Sequence, residues 1–367
     1  MDYKLSVRGA PQFYQCRNGI LQELESLIIQ RKKYRALVIH GKKSFEAARA
    51  YLPKFNAVLM EKWEYNGECS LEEIRKISRF YKQGYFDIII GIGGGKVLDL
   101  AKAVSHEVKG PTVLIPTLAS TCAAWTPLSV IYSKEGKFLY YEVYPQSTDI
   151  VLVEPEVILS SPVKYLKAGI ADTLAKWYEA DVMIRNLNVP PVPLLVAHHS
   201  ARLCKDLLLE KGIKSLEDMK NRKLTSNFVS VIETNMILGG MVGGFGDEYG
   251  RVSGAHAIHN ALTEFPCTHH LLHGEKVAYG ILVQLAIEEQ WTEIERLLPF
   301  YEKLSLPKSF KEIGLTNEID IKQLATYAMN NHSLKLVDEN INEDRVINAL
   351  TNIESIVRIK TNPIIIK

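Results

Sequence analysis

The stretch Gly91-Ile-Gly-Gly-Gly-Lys-Val-Leu-Asp-Leu-Ala-Lys102 decides the fold of this chain, because it joins a strand-like segment to a helix-forming one. Residues 86–90 are rich in isoleucine and run straight into the glycines. Glycines between a strand and a helix let the backbone approach a phosphate, whose charge the exposed N–H groups and the helix dipole favour. The stretch therefore predicts a pyrophosphate cradle.

Three other interpretations of this stretch are possible. A Walker loop fits poorly, because Ile90 stands where its first glycine should be and Val97 where Ser or Thr should hold magnesium. The usual dinucleotide pattern fits poorly as well, since its third glycine falls on Lys96. A tight strand-to-helix turn with no ligand also stays open.

Helices and strands alternate in the first half of the chain. Apolar spacing predicts a helix over residues 20–29, and Ser70-x-x-Glu73 is a capping box that opens another. Alternation of this kind indicates a mostly parallel sheet, here a Rossmann-like α/β fold. Strands are expected at residues 36–39, 86–90, 113–115 and 150–153, with a hairpin at 129–132 and 138–143.

Helical periodicity dominates after about Ser160, so we predict a second, all-helical domain. The boundary is placed near Ser161-Pro162, giving a dinucleotide-binding α/β domain over residues 1–161 and a helical metal- and substrate-binding domain over 162–367. A chain of 367 residues exceeds what one hydrophobic core usually serves, and sites for small molecules are common between domains.

Charge and cysteine content narrow the function class. The 44 basic and 42 acidic side chains leave a formal charge of +2, so no strong field attracts nucleic acid or an anionic membrane. The five cysteines form no C-x-x-C pair, and the N-terminus lacks the apolar run of a signal peptide. We therefore expect a cytoplasmic protein that acts on a small molecule, without nucleic-acid or membrane partners.

One carboxylate and two imidazoles from separated elements form a candidate metal site. Asp172 is expected in mid-helix, His256 and His259 lie three apart on another helix, and His273 follows a loop. Taken singly, each is more often structural than a ligand. Together they offer a ligand set suited to zinc or ferrous iron with one position open.

Several motifs resemble the iron-containing alcohol dehydrogenase superfamily, on its glycerol-dehydrogenase side. They are Gly-Gly-Gly-Lys-x-x-Asp-x-Ala-Lys (93–102), Pro-Thr-x-Ala-Ser-Thr (116–121), Ala-Gly-x-x-Asp (168–172), Ala-His-Ala-Ile-His-Asn (255–260) and Leu-His-Gly-Glu-Lys (272–276). The resemblance runs in order from about residue 35 to about residue 290. It implies the fold shared by iron-type alcohol dehydrogenases and dehydroquinate synthase.

A narrower resemblance, to the hydroxycarboxylate dehydrogenase branch, rests on residues 119–130 and 168–180. Members of that branch reduce short 2-oxo acids. The superfamily resemblance implies a nicotinamide dinucleotide in the first domain, with its pyrophosphate at the glycine turn. The residues expected to hold the dinucleotide are Gly93, Gly94, Gly95, Lys96, Val97, Leu98 and Asp99 at the turn, Thr117 and Ser120 beside the nucleotide, and Thr126, Leu128 and Tyr132 at the nicotinamide end.

The resemblance also makes Asp172, His256 and His273 the ligands of one divalent metal, zinc or iron. His259 is then expected beside them, on the substrate side or in a proton relay, while His269 and His270 are loop residues. The ion would polarise the substrate oxygen while hydride passes between the substrate and the nicotinamide.

Two positions depart from the glycerol-dehydrogenase pattern. Cys122 replaces an aspartate that contacts the polyol in those enzymes, and Arg251 replaces a small residue. A guanidinium binds a carboxylate through two parallel hydrogen bonds, so we hypothesise that Arg251 recognises the acid group of a 2-oxo or 2-hydroxy acid. The alternative is a salt bridge from Arg251 to Asp247 or Glu248.

The end of the second strand bears on cofactor choice. NAD-preferring relatives carry an acidic residue there, which binds the ribose 2′-hydroxyl and repels a 2′-phosphate. This chain has Gly41-Lys42-Lys43-Ser44, which favours NADP(H) over NAD(H). Alternatively, both lysines are solvated at the start of a helix.

The resulting expectation is a metal-dependent NAD(P) oxidoreductase that acts on a small 2-oxo or 2-hydroxy acid and forms a homo-oligomer. Glycerol dehydrogenase, which interconverts glycerol and dihydroxyacetone with NAD, is the alternative. A lyase of the dehydroquinate-synthase type and a silent nucleotide-binding sensor are less favoured, because few basic residues flank the site and all three inferred ligands remain.

Overall fold

The computed structural model describes residues 4–315 and 318–361, and its contacts divide the chain into two compact units. The sheet unit comprises Arg8–Leu166 and Lys214–Gly244. The helical unit comprises Lys167–Ile213 and the described parts of Met1–Val7 and Phe245–Lys367. The division predicted at residues 161–162 stays a prediction.

Parallel pairing builds the main sheet of the sheet unit. Its six strands lie in the order β1-β8-β5-β4-β2-β3, all parallel, and β6 pairs with β7 as a separate antiparallel hairpin. Isoleucine, valine and leucine side chains from the central strands form its buried core. The strands are Phe13–Cys16 (β1), Arg35–His40 (β2), Leu59–Glu64 (β3), Ile88–Gly93 (β4), Thr112–Pro116 (β5), Leu128–Tyr132 (β6), Phe138–Val143 (β7) and Ile150–Val153 (β8).

Helices connect these strands and make up the helical unit. Short 3-10 turns lie at Ile20–Glu23, Asp247–Gly250, Pro266–Thr268 and His332–Leu336, and Thr234–Leu238 is π-helical. The α-helices are Leu24–Gln30 (α1), Lys42–Arg49 (α2), Leu71–Gln83 (α3), Gly95–Val108 (α4), Pro155–Leu159 (α5), Val163–Ile184 (α6), Val192–Lys220 (α7), Ser226–Glu233 (α8), Gly239–Gly246 (α9), Gly254–Leu262 (α10), His273–Ile287 (α11), Trp291–Leu304 (α12), Phe310–Ile313 (α13), Glu318–Met329 (α14) and Glu343–Thr361 (α15).

The predicted fold class, a parallel α/β unit followed by helices, is confirmed, but two strands were not anticipated. β1 has four half-buried residues and no alternation, and β3 exposes charged side chains at Glu61 and Lys62. Both strands lie at the edges of the sheet. Edge strands are buried on fewer sides, so the hydrophobic signal that reveals central strands is weak in them.

The predicted capping box at the start of α3 is half formed. The Ser70 hydroxyl accepts a hydrogen bond from the backbone N–H of Glu73 at 3.4 Å. The Glu73 carboxylate, however, accepts the indole N–H of Trp63 at 2.9 Å. Tertiary packing has therefore taken the partner that the local motif would have used.

Residues Ser226–Gly250 form the one helical stretch, within the part of the chain that the structure describes, that is long and apolar enough to cross a membrane. Its mean hydropathy is 1.4, and 56% of that window is buried inside the protein. Burial of this kind is typical of the core helix of a soluble protein, so the stretch is weak evidence for a membrane span.

Candidate functional site

The chain order of the sheet creates a crevice at the ends of two neighbouring strands. From β2 the chain moves outward to β3, and it then returns to the other side of β2 with β4. Ligands of open parallel sheets bind at such a reversal, beyond the carboxyl ends of the strands. Here the turns after β2 and β4 carry the lysine pair and the glycine run of the sequence.

A serine joins these two turns. The Ser44 hydroxyl oxygen accepts the Gly41 N–H at 3.1 Å, and its single proton is shared between two acceptors, the carbonyl oxygens of Ile92 at 2.8 Å and Gly41 at 3.0 Å. Register pairs His40 of β2 with Ile92 of β4. The two turns are thus held side by side.

The glycine turn is shaped by close packing of strand and helix. A Cβ at Gly93 would lie 2.5 Å from Val97 Cβ, so the strand can meet the first turn of α4 this closely because Gly93 has no side chain. The Thr117 N–H donates to the Gly93 carbonyl at 3.0 Å. The predicted residues Gly93, Gly94, Gly95, Val97, Leu98 and Thr117 are therefore together at the start of α4.

Asp99 and Lys102 act inside the protein. The Asp99 carboxylate forms an ion pair of 2.9 Å with the Lys102 ammonium and accepts the Val130 N–H at 3.1 Å. Lys102 also donates to the carbonyls of Ala123 at 2.7 Å and Thr126 at 3.0 Å. Burial raises the pKa of Asp99, although Lys102 opposes that shift. These contacts hold the segment that carries Thr126 and Leu128 against α4.

Lys96 and Tyr132 adjoin each other at the same end of α4. The Lys96 ammonium pairs with Glu68 at 2.5 Å and lies 5.0 Å from the centre of the Tyr132 ring. Ser120 and Cys122 are half-buried on the loop between β5 and β6. In this loop the backbone N–H of Trp125 donates to the Cys122 carbonyl at 2.9 Å. The structure thus places all these predicted residues in the sheet unit, close to the glycine turn in sequence or space.

Lys42 and Lys43 open helix α2 and are both exposed. A Cβ at Gly41 would lie 3.1 Å from the Tyr65 ring and 3.3 Å from the Ser44 hydroxyl, so this position is tight for a side chain. Both lysines thus lie just beyond the carboxyl end of β2, exposed to solvent.

In the helical unit, two glycines bring α11 against its neighbours. A Cβ at Gly274 would lie 1.9 Å from the Ala168 carbonyl oxygen on α6, and a Cβ at Gly280 would lie 2.2 Å from the Ala255 carbonyl oxygen on α10. No side chain fits at such distances. The three helices therefore approach closely where each carries one of the predicted metal ligands.

Asp172, His256 and His273 meet at one point. The Nε2 atom of His256 lies 3.4 Å from Asp172 Oδ1, and Nε2 of His273 lies 3.1 Å from the same oxygen. One ligand atom from each residue lies within 4.8 Å of the others. One carboxylate and two imidazoles in such a group fit zinc or ferrous iron with a position left for substrate.

A buried carboxylate orients His256. Glu179 accepts the ring Nδ1–H of His256 at 2.7 Å and the backbone N–H groups of Ser253 and His256 at 2.8 and 2.9 Å. With Nδ1 as the donor to Glu179, the neutral ring has no proton on Nε2, which is the tautomer that a metal ligand needs. Glu179 is one of the functional residues that the sequence analysis did not single out, although its spacing from Asp172 puts both on one face of α6.

His259 stands behind His273. The two rings are 4.2 Å apart, and His259 Nε2 lies 2.8 Å from His273 Nδ1. His259 Nδ1 lies 3.0 Å from Asn260 Oδ1. With His273 Nε2 directed at Asp172, the hydrogen bonds form a chain from His273 through His259 to Asn260, which is exposed. His259 therefore lies beside His273, and its part in a proton relay stays a prediction. His269 and His270 bond to nearby backbone carbonyls.

The pKa values of the buried residues in the metal group are set by burial and by their charged neighbours. Burial disfavours charge on His256, yet Glu179 and Asp172 raise its pKa to about 9. Burial would raise the pKa of Asp172, but the charge of His273 and hydrogen bonds from both histidines hold that pKa well below its usual range. Burial, together with the charges of His273 and His256, lowers the pKa of His259. A cluster of oppositely shifted groups is typical of a functional site.

Arg251 already has a carboxylate partner. Its guanidinium forms a hydrogen-bonded ion pair with Asp247, one of the two partners considered from the sequence. The buried Lys176 ammonium donates to the Arg251 carbonyl at 3.1 Å. Lys176 thereby ties α6 to the segment that leads into α10.

Comparison with known proteins agrees with this geometry. The profile of the family described as iron-containing alcohol dehydrogenase matches residues 11–155. Hydroxycarboxylate dehydrogenase A of Escherichia coli is 38% identical over 322 residues, which cover 87% of this chain and 89% of that protein. Glycerol dehydrogenase of Thermotoga maritima is 38% identical over 275 residues, 74% of each chain.

Solved structures give the same assignment. A probable glycerol dehydrogenase from Sinorhizobium meliloti superposes with a TM-score of 0.84 at 29% identity, covering 95% of this chain and 98% of that one. Glycerol dehydrogenase from Schizosaccharomyces pombe gives 0.85 at 28% identity, covering 97% and 92%. The family's enzymes depend on NAD and bind metal. On sequence and structure together, this chain is an oxidoreductase that belongs to the iron-containing alcohol dehydrogenase family.

Proposed function

We propose that the protein is a metal-dependent nicotinamide dehydrogenase that interconverts small 2-oxo and 2-hydroxy acids. The observation that carries the proposal is the convergence of Asp172, His256 and His273, supported by similarity to hydroxycarboxylate dehydrogenase A over most of the chain. These three residues would hold the ion, and Zn²⁺ and Fe²⁺ both suit them.

A bound divalent ion supplies Lewis acidity to a substrate hydroxyl or carbonyl. The chain's own residues do the rest. Glu179 fixes the His256 ring, and Asp172 fixes both imidazoles relative to each other. His259, hydrogen-bonded to His273 and Asn260, would pass the proton of the substrate hydroxyl toward solvent in oxidation and return it in reduction.

The glycine turn and its neighbours would hold the dinucleotide. The first N–H groups of α4 are placed for the pyrophosphate, and Thr126, Leu128 and Tyr132 would line the nicotinamide end. We further propose that Lys42 and Lys43 favour NADP(H) through the charge of a 2′-phosphate. A cytoplasmic location and a homo-oligomeric assembly complete the proposal.

The acid substrate is favoured over a polyol by residue chemistry. Cys122 lacks the carboxylate that a polyol-binding aspartate would supply. Arg251 remains a predicted partner of the substrate acid, on condition that its guanidinium exchanges Asp247 for substrate. Glycerol dehydrogenase is retained as a second candidate, because relatives of that name match at similar identity.

A spectrophotometric assay at 340 nm tests the proposal. Metal-loaded protein is tested with NADPH and NADH against 2-oxobutyrate, 2-oxoglutarate and dihydroxyacetone, and with glycerol and NAD in reverse. Oxidation of NADPH by the oxo acids is expected. Turnover of glycerol with NAD or of dihydroxyacetone with NADH, and none of the oxo acids, would replace the proposal with the glycerol reaction.

A further inference from the structure

Asn235 is a fully buried asparagine in the π-helical turn between α8 and α9. The turn spans Thr234–Leu238, and π-helical turns are rare and occur often at functional sites. The Asn235 side chain has 0% exposure. Burying an amide costs free energy unless hydrogen bonds replace those it made with water, so an apolar residue is the ordinary choice at such a position.

One end of this amide holds the β5–β6 loop, residues 117–127. The Nδ2 group of Asn235 donates to the Ala119 carbonyl at 2.9 Å. The Oδ1 atom is buried as well, and within residues 4–315 and 318–358 it has no hydrogen-bond partner. The amide is therefore not part of a satisfied core network, and its bond to the loop is the polar contact that distinguishes it from a leucine.

The segment that carries Asn235 supports the loop a second time, five residues further on. A Cβ at Gly240 would lie 2.7 Å from the Cβ of Trp125, so a side chain there would have to displace the loop. At the other side of the loop, buried Lys102 donates to the carbonyls of Ala123 and Thr126. Buried groups on two sides thus fix the backbone of residues 119–126.

The β5–β6 loop packs on the glycine turn. A Cβ at Gly94 would lie 2.9 Å from Leu118 Cδ1, and one at Gly95 would lie 3.6 Å from Thr121 Oγ1. These glycines are at the start of α4, where the pyrophosphate is proposed to bind. A shift of the loop would therefore change the walls of the proposed dinucleotide site.

We infer that Asn235 is a positioning residue for the dinucleotide, which acts through the Ala119 carbonyl by holding the β5–β6 loop in the conformation that binds. The inference rests on the proposed function, since that loop carries several of the proposed dinucleotide contacts. Without the amide, part of the binding free energy is spent on ordering the loop, so the affinity falls. NADPH and NADH are affected alike, because the lysines proposed to choose between them are on α2.

Three variants and a matched control separate positioning from stability. N235L removes both ends of the amide, N235D replaces the donor by a second acceptor that faces the Ala119 carbonyl, and G240A displaces the loop at Trp125. The control is T234V. Thr234 is the 1% exposed neighbour of Asn235, and its hydroxyl donates at 2.7 Å to the Ser230 carbonyl on its own helix.

The full-length, metal-loaded protein is titrated with NADPH and with NADH, and the Kd is read from nicotinamide fluorescence. Tm is measured for each variant, and Zn²⁺ affinity is measured by competition with a chelator. These two readouts show whether a variant changes the loop alone or the whole protein.

N235L and N235D are expected to raise the Kd of both dinucleotides about 3- to 10-fold, the effect of one hydrogen bond that no longer orders the loop. Zn²⁺ affinity should stay unchanged, because the metal group is in the helical unit. The Tm of N235L should change by less than about 3 °C, since losing the unpaired Oδ1 offsets losing the bond to Ala119.

T234V is expected to lower Tm and to keep the wild-type Kd values. G240A is expected to weaken binding of both dinucleotides, and it decides the outcome together with the remaining variant should one Asn235 variant fail to fold.

Wild-type Kd values in N235L and N235D, or an equal rise in T234V, would overturn the role of Asn235. Wild-type protein whose Kd for NADPH depends on Asn235 but which reduces no oxo acid would refute the proposed function and leave the inference standing. Oxo-acid turnover by the wild type, with the KM for NADPH unchanged in N235L, would support the function and refute the inference.

Discussion

Replacing Glu179 by glutamine is the sharpest single perturbation of the metal group. Glu179 accepts two backbone N–H groups through one oxygen and the His256 ring N–H through the other, at 2.7 to 2.9 Å. Glutamine keeps one carbonyl oxygen for the backbone groups, and it turns an NH₂ donor toward His256. Two donors then face each other, so the ring must move its proton from Nδ1 to Nε2.

That tautomer directs an N–H, rather than a lone pair, toward the metal position. Loss of such an orienting carboxylate weakens metal affinity by about 10- to 100-fold, equivalent to about 1.4–2.8 kcal/mol. The assay is competition between the metal-free protein and a calibrated chelator, with Zn²⁺ and Co²⁺ in turn.

The matched control is E293Q. Glu293 accepts the hydroxyl of Tyr178, a direct neighbour of Glu179 on α6, at 2.7 Å, and in the described part of the chain no hydrogen bond or ion pair joins it to the histidines of the metal group. Its replacement should leave metal affinity unchanged. Equal affinity in E179Q and the wild type, or equal loss in both variants, would show that the carboxylate does not set the tautomer of His256.

Three further predictions follow from the described contacts. Gly280→Ala should lower the free energy of unfolding by at least about 1–3 kcal/mol and weaken metal binding, because its Cβ would lie 2.2 Å from a carbonyl oxygen. The control is Gly212→Ala, whose Cβ would meet ordinary contacts at 3.5 Å; in denaturant unfolding it should be neutral or gain up to about 1 kcal/mol. The pKa of His256 is raised from 6.5 to about 9, so the charged ring stabilises the metal-free protein fully below pH 6.5, and this stabilisation is lost as pH rises through 9. Over that window Tm should fall, and metal affinity, which requires the neutral ring, should rise up to about tenfold per pH unit. If neither Tm nor metal affinity changed with pH, the pairing of His256 with the two carboxylates would be contradicted. Replacing Lys42 and Lys43 together by alanine should raise the KM for NADPH about tenfold and leave that for NADH nearly unchanged; equal KM values for NADPH in variant and wild type would remove the lysines from cofactor choice.

Features with a local signal could be predicted from the sequence. The glycine turn was recognisable because a buried strand, a flexible run and a helix follow each other directly, and the structure has β4 and α4 there. Asp172, His256 and His273 were recognisable because they stand in motifs, although the approach of their helices depends on Gly274 and Gly280, whose role appears only in three dimensions.

Features decided by tertiary partners could not be predicted in this way. The sequence left Arg251 with two possible roles, and its pairing with Asp247 depends on the turn between them. The edge strand β3 carries too many charged side chains to be distinguished from a loop.

The Ser44 hydroxyl, bonded at once to Gly41 and Ile92, makes the dinucleotide end of the sheet modular. The hydrogen bonds of Ser44 fix the backbone of both turns, while the side chains of Lys42 and Lys43 are exposed and take no part in them. Coenzyme choice can therefore be redesigned at two solvated positions without moving the phosphate cradle, provided that the serine is kept. Conversely, a change at Ser44 would alter both turns together, and no exchange of surface charge would restore them.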